Sequence, residues 1–152
     1  MTVKELMEKG ALRDRLSDEM ESGYENNEII SYINDAISFI WDVCVMNDYY
    51  EVIGDITLTN QSTPTPDDFY KITNMAPVVA RRDTLECYGT LPQVLRYYKR
   101  PQYVSSVDDQ IPFKNEQFAN IINQFVVVLA MSNHGFDMQT EEDFVEAIVK
   151  IL

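Results

Sequence analysis

Apolar residues recur at helical spacing in four stretches of the chain, and between the second and third the period shortens to an alternation. A long helix that cannot sit on a surface is predicted at about 113–134, behind Pro112, a residue suited to a first turn. Phe118, Ile121, Ile122 and Phe125 share one side of it, opposite Asn120, Asn123 and Gln124. Across 125–131 every residue is apolar, so this part has no solvent face and is expected to be wrapped by other elements. Val126, Val127 and Val128 would suit a strand equally well. A length of about twenty residues, with Gly135 as a stop, decides for helix.

The other helices are expected around this one. Thr2 and Glu5 have capping-box spacing, and Val3, Leu6 and Met7 open an apolar face that Leu16 and Met20 resume after Gly10. Ser22-Gly23 breaks that helix. Asn26 or Asn27 caps a second one running to about Asn47, with Ile29, Ile30, Ile33, Ile37, Ile40, Trp41 and Cys44 in one broad stripe. Ser31, Asn34, Asp35, Ser38 and Asp42 lie opposite it. A last helix, capped by Thr140 with Asp143, buries Phe144, Val145, Ile148, Val149 and Leu152.

Between these helices, Val52, Ile56 and Leu58 alternate with Ile53, Asp55, Thr57 and Thr59, which predicts a strand in which Gly54 is a bulge or a close contact. The polar segment 60–68, with Pro64 and Pro66, reads as an exposed turn or loop. Segment 69–79 is ambiguous between a turn and a strand, and Arg81-Arg82-Asp83 reads as a turn. Segment 94–98 alternates again before Pro101 ends it or leaves it at an edge. The expected fold class is α+β, mainly α. A four-helix core surrounds the long buried helix, and a β-hairpin or small-sheet insertion occupies about 50–107. In domain terms 1–152 forms a single domain, with helical core 1–48 and 111–152 and insertion 49–110.

Size and composition agree with a globular chain: 152 residues, of which 45% are hydrophobic, suffice for a core without staples. No apolar run approaches the roughly twenty residues of a membrane span, so no membrane partner is expected. The first residues form a polar helix and do not resemble a secretion signal. Cys44 and Cys87 have no CxxC spacing and read as reduced thiols of a reducing cytoplasm.

Charge changes the picture most. Twelve basic against 25 acidic residues give −13, a balance that repels duplex DNA and argues against a repressor or nuclease. Solubility alone would also account for it. Candidate chemistry is sparse. His134 is the only histidine, placed to favour a helix dipole or to cap carbonyls, and it is a poor basis for a triad or metal site. The pairs Asp67-Asp68 and Asp108-Asp109 and the run Glu141-Glu142-Asp143 lack the spacing of a calcium loop, and two of the three are expected where helices begin. Five scattered glycines make no phosphate cradle, and no GxSxG occurs. The reading is of a non-enzyme with no cofactor and no metal.

Tyr97, Tyr98, Lys99 and Arg100, followed by Tyr103, invite a stacking platform for single-stranded nucleic acid. Tyrosines lining the inner face of a sheet are the plainer account. A protein–protein contact fits Tyr and Arg better still, and a β insertion on a helical core can reach a neighbouring subunit. The interface residues singled out are Thr63, Pro64, Asp67, Asp68, Tyr97, Tyr98, Arg100 and Tyr103.

Three segments together resemble a known family. "TVKELMEKGALRDRLSDE" followed by "NNEIISYINDAISFIWDV" resembles the first two helices of bacteriophage head-to-tail adaptor proteins. "TPTPDDFYKITNM" is similar to the Pro-Asp-Asp-Phe segment that follows their first hairpin. "YYKRPQYVSSVDDQIPFKNEQFANIINQFVVVLAM" resembles their run of tyrosines and a proline, acidic turn, Ile-Pro and long central helix. The order and spacing agree over nearly the whole chain.

The resemblance implies a virion structural protein of the portal vertex, made in the host bacterial cytoplasm. Such adaptors form a ring, commonly of twelve copies, beneath the portal protein. They extend the DNA channel and dock a tail or stopper component. Genomic DNA passes through without sequence-specific binding, and an acidic lumen would keep its phosphates from sticking. One departure is that many relatives carry a C-terminal extension inserting into the portal, whereas this chain stops at Leu152 in an apparent helix. The rival expectations are a small acidic interaction or regulatory module, such as a DNA mimic or inhibitor, and a neighbouring tail-completion or stopper protein.

Overall fold

The computed structural model of the protein describes residues 1–10, 12, 26–131 and 137–152. The expected continuation of the first helix through Leu16 and Met20, its break at Ser22-Gly23, and the roles given to His134 and Gly135 fall outside them. Among the described residues the fold is α+β, with four helices and two small antiparallel sheets. It divides into two compact units, Met1–Asn47 with Gln102–Leu152, and Asp48–Pro101.

The first unit is helical. Helix α1 (Val3–Lys9) starts on the expected capping box: the Thr2 hydroxyl accepts from the Glu5 N–H, and the Glu5 carboxylate accepts from the Thr2 N–H. Helix α2 (Asn26–Met46) buries its whole expected stripe, from Ile29 to Cys44. This is the one described helix long and apolar enough to cross a membrane, but its buried stripe is taken up by packing on α3 (Gln117–Met131) and α4 (Met138–Val149). Phe39 and Phe144 both stack on Phe125 of α3, and Phe113 lies against Trp41 and Phe118.

Several helix borders differ from expectation. Helix α3 begins at Gln117, not behind Pro112: the Asn115 side chain accepts from the Gln117 N–H at 3.0 Å and caps it there. Residues 111–116 instead run alongside the N-terminus, where the Ile111 N–H donates to the Met1 carbonyl. Asn123, expected on a polar face, is buried and donates to the Leu6 carbonyl at 3.2 Å, tying α1 to α3 across Gly10. The cap of α4 is Asp137, whose carboxylate accepts from the Thr140 N–H, so that helix starts ahead of the expected Thr140.

Segment 102–110 belongs with the helices and not with the insertion. The Asn34 side chain donates to the Val104 carbonyl and accepts from its N–H, at 2.8 and 2.9 Å, doing for this loop what a strand partner would. Asp108-Asp109 marks no helix start. The Asp109 carboxylate closes a turn by accepting from the N–H groups of Ser105 and Ser106 and from the Ser105 hydroxyl. That turn then supplies carbonyls to the first N–H groups of α1, Asp109 to Val3 and Val107 to Lys4.

The second unit holds two three-stranded sheets. One has the order β1 (Ile53–Leu58), β6 (Gln93–Lys99), β3 (Phe69–Ile72), and the other β2 (Ser62–Pro64), β5 (Thr84–Cys87), β4 (Val78–Ala80). They share one small core of Leu58, Val78, Leu85, Cys87 and Leu95, flanked by Ile56, Phe69 and Ile72. The segment expected as a loop at 60–68 contains strand β2. Pro64 fits there because β2 is an edge strand, where a missing N–H breaks no inner ladder. Segment 69–79 resolves into β3 and the start of β4. Cys44 and Cys87 are both buried and share no disulfide.

Candidate functional site

Of the candidate interface residues in the β unit, Asp68, Tyr97, Tyr98 and Arg100 gather around β6, the central strand of the first sheet. Its residues alternate, so Leu95 and Tyr97 point into the core while Val94 and Arg96 face out. Tyr97 sits directly across from Gly54 on β1. A Cβ on Gly54 would stand 3.0 Å from the Tyr97 ring, so the glycine is the close contact that lets the tyrosine lie flat against the strand. Phe69 packs on the same ring with centroids 5.5 Å apart.

The Tyr97 hydroxyl donates to Asp68 Oδ1 at 2.9 Å. Burial, then the bond to Asp68, then the charges of Asp68 and Asp55 push its pKa up to about 12. Asp68 also accepts the Arg100 N–H on its carbonyl at 2.6 Å. Two segments 29 residues apart, singled out separately in the sequence, are therefore one hydrogen-bonded corner. Tyr98, on the opposite face of β6, is half-buried and donates its hydroxyl to Asp48.

Tyr97 lines the inner face of the sheet, the plainer of the accounts given above, and is not an exposed contact anchor. The residue is 7% exposed, with one face against Gly54 and Phe69, so it holds the corner together and cannot stack on a base. Asp67, Asp68 and Arg100 are exposed. Thr63 and Pro64 lie in the other sheet, on β2, and the Thr63 hydroxyl oxygen is buried without a hydrogen-bond partner. Tyr103 is exposed and belongs to the helical unit.

Other surface features carry more contact potential than the sequence reading assigned them. Arg96 is engaged, bridging to Asp55 across the sheet at 3.0 Å. Arg81 and Arg82, at the turn between β4 and β5, are exposed and make no side-chain hydrogen bond or ion pair among the described residues. Val79 on β4 and Met75 ahead of that strand are exposed apolar residues. On α4, Val149 was expected in the core but is 42% exposed, and Met138 is exposed on the same side; Val145 between them is only partly buried. Their spacing of seven and four residues was legible in the sequence, but Phe144 and Ile148 form a competing stripe, and only packing shows which one the core takes.

Charge is unevenly divided. The β unit holds Asp48, Glu51, Asp55, Asp67, Asp68, Asp83 and Glu86 against Lys71, Arg81, Arg82, Arg96, Lys99 and Arg100, seven acids to six bases and a net of −1. The remaining 18 acidic and six basic residues all fall in the helical unit, which carries −12 of the total −13. Among the described residues, no three His, Cys, Asp or Glu side chains converge as a metal-ligand group. Comparison of the chain with protein-family models and with curated proteins finds no match to either.

Proposed function

We propose that this chain is a virion structural protein, a head-to-tail adaptor that stands as a ring beneath a portal, extends the DNA channel and docks the tail. The observation that carries this reading is the order in which the family-like segments fall on the elements. The segment beginning at Asn26 forms α2, and the Pro-Asp-Asp-Phe segment leads from the hairpin edge into β3. The tyrosine run forms the end of β6, the acidic pair closes a turn, and the Ile-Pro precedes α3. The concentration of acid on the helical unit supports the same role, since a wall of one negative sign offers phosphates no binding site.

On this reading the protein works by shape and charge. The helical unit is the charged body, and the β unit, with its near-neutral charge and exposed apolar residues, meets neighbouring proteins. The test is imaging of the portal vertex of a particle that carries a tagged copy of the chain. A ring of tag density under the portal is expected. Particles complete to the tail without the chain would end the proposal.

The net of −12 on the helical unit favours one second reading, an acidic module that mimics DNA and inhibits a DNA-binding protein. Such a module would displace DNA from its target as a single copy and would be missing from purified particles.

A further inference from the structure

Helix α4 has two apolar stripes. Phe144 and Ile148 enter the core, whereas Met138, Val145 and Val149 line the outer face. Successive steps of seven and four residues set those three side chains nearly in line, and Glu141 and Glu142 flank them. Scattered exposed apolar residues need no explanation, but a line of them between carboxylates is a strip built for contact.

We propose that copies of this chain associate head to tail, with the outer face of α4 in one copy packed on the β4 edge and the Arg81–Arg82 turn of the next. This rests on the ring reading above and names its two surfaces. The argument is one of charge. Two α4 faces brought together would set Glu141 and Glu142 of one copy against those of another, on units that each carry −12. The like-with-like contact of a twofold dimer is therefore disfavoured, and a second copy can cover the strip only with a surface of opposite sign.

The β4 edge has what is required. Strand β4 is bonded on one side only, by β5, and Val79 supplies exposed apolar area. Arg81 and Arg82 follow β4 directly, with no ion pair of their own among the described residues, held in a turn closed by the Arg81 N–H on the Thr84 carbonyl. Apolar centre then meets apolar centre, and Glu141 and Glu142 of one copy meet Arg81 and Arg82 of the next. A contact between unlike surfaces of identical chains repeats until a rotation closes it, which is how a ring forms.

The test is sedimentation of the whole chain over a concentration series at low and high salt, with circular dichroism to confirm folding. The parent is expected to self-associate, and more weakly at high salt. Arg81→Glu/Arg82→Glu and Glu141→Lys/Glu142→Lys should each lose association by about tenfold or more. The milder Arg81→Gln/Arg82→Gln should lose less. Mixed in equal amounts, the two reversed variants should associate again, because each then presents to the other the sign it lacks in itself; pairing within one chain gives no such rescue. A parent that stays monomeric at the highest attainable concentration overturns the pairing. So do reversed variants that associate like the parent, or a mixture that stays apart. If particles still show a ring built from a reversed variant, only the pairing fails; if the chain is missing from particles, the ring reading itself fails.

Discussion

The helical unit buries its apolar residues along long, continuous stripes and carries 18 acidic residues against six basic, whereas the β unit closes a small core between two short sheets with seven acids against six bases. The first is a body that repels anything of its own sign and draws its strength from within. The second has less to hold it together but a surface that another protein can approach without an electrostatic barrier. Dividing the charge this way leaves the β unit approachable while the chain holds a large negative charge.

If the helical unit owes its stability to the interior, the largest losses follow from emptying it. Phe118 is fully buried, with its ring on Phe113, and Phe118→Ala is expected to cost about 3–5 kcal/mol in denaturant unfolding followed by helical circular dichroism. A cost below about 1 kcal/mol, the range of a surface change, would place the centre of the unit elsewhere. In the β unit the counterpart is Leu95, fully buried on the central strand, and Leu95→Ala should cost about 2–5 kcal/mol. Its small core has few other residues to close the gap.

The same contrast explains what the sequence disclosed. Helix stripes were legible because residues three and four apart share a face, so the buried set of α2 could be read without knowing its neighbours. Asn123 was misplaced because that periodicity does not show a side chain bonding a carbonyl more than a hundred residues away. In the β unit the borders of β2, β3 and β4 depended on partners far along the chain: β2 pairs with β5, and β3 with β6. Strands of three or four residues carry too little alternation to announce themselves. Of the interface candidates, Asp68, Tyr97 and Arg100 proved to be neighbours, but the burial of Tyr97 depended on Gly54 standing opposite, a matter of register. The charge division needed only the unit borders, which pattern alone placed several residues away.

Smaller effects sharpen the comparison at Tyr97. Gly54→Ala would press a methyl to about 3.0 Å from the buried ring, which is itself held by Asp68, and is expected to cost about 1–3 kcal/mol. A neutral result would mean that the strand pair opens freely there. Tyr97→Phe keeps the ring and removes only the hydroxyl, so about 1 kcal/mol should be lost, the usual worth of one hydrogen bond. In spectrophotometric titration of the nine tyrosines, the parent should retain one that ionises near 12, and the variant should lack it.

The two units should also fail at opposite ends of the pH scale. Tyr97 has its pKa raised from 10.0 to about 12 by folding, so its neutral form is what the native state holds. Its contribution is complete below the unfolded pKa and fades as pH climbs from 10.0 towards 12, because the unfolded chain loses that proton first. In the helical unit Asp109 and Asp137 have lowered pKa values, Asp109 through the N–H and hydroxyl of Ser105 and the N–H of Ser106, Asp137 through the N–H of Thr140. Their contribution is present above the unfolded carboxylate pKa and is lost as pH falls through the folded one, because the unfolded chain takes up the proton first. Asp109→Asn should therefore flatten the acid limb of a stability profile and leave the alkaline limb alone, and Tyr97→Phe should do the reverse. If one substitution moved both limbs, the two units would share a single titrating network, and the division of labour drawn between them would have to be given up.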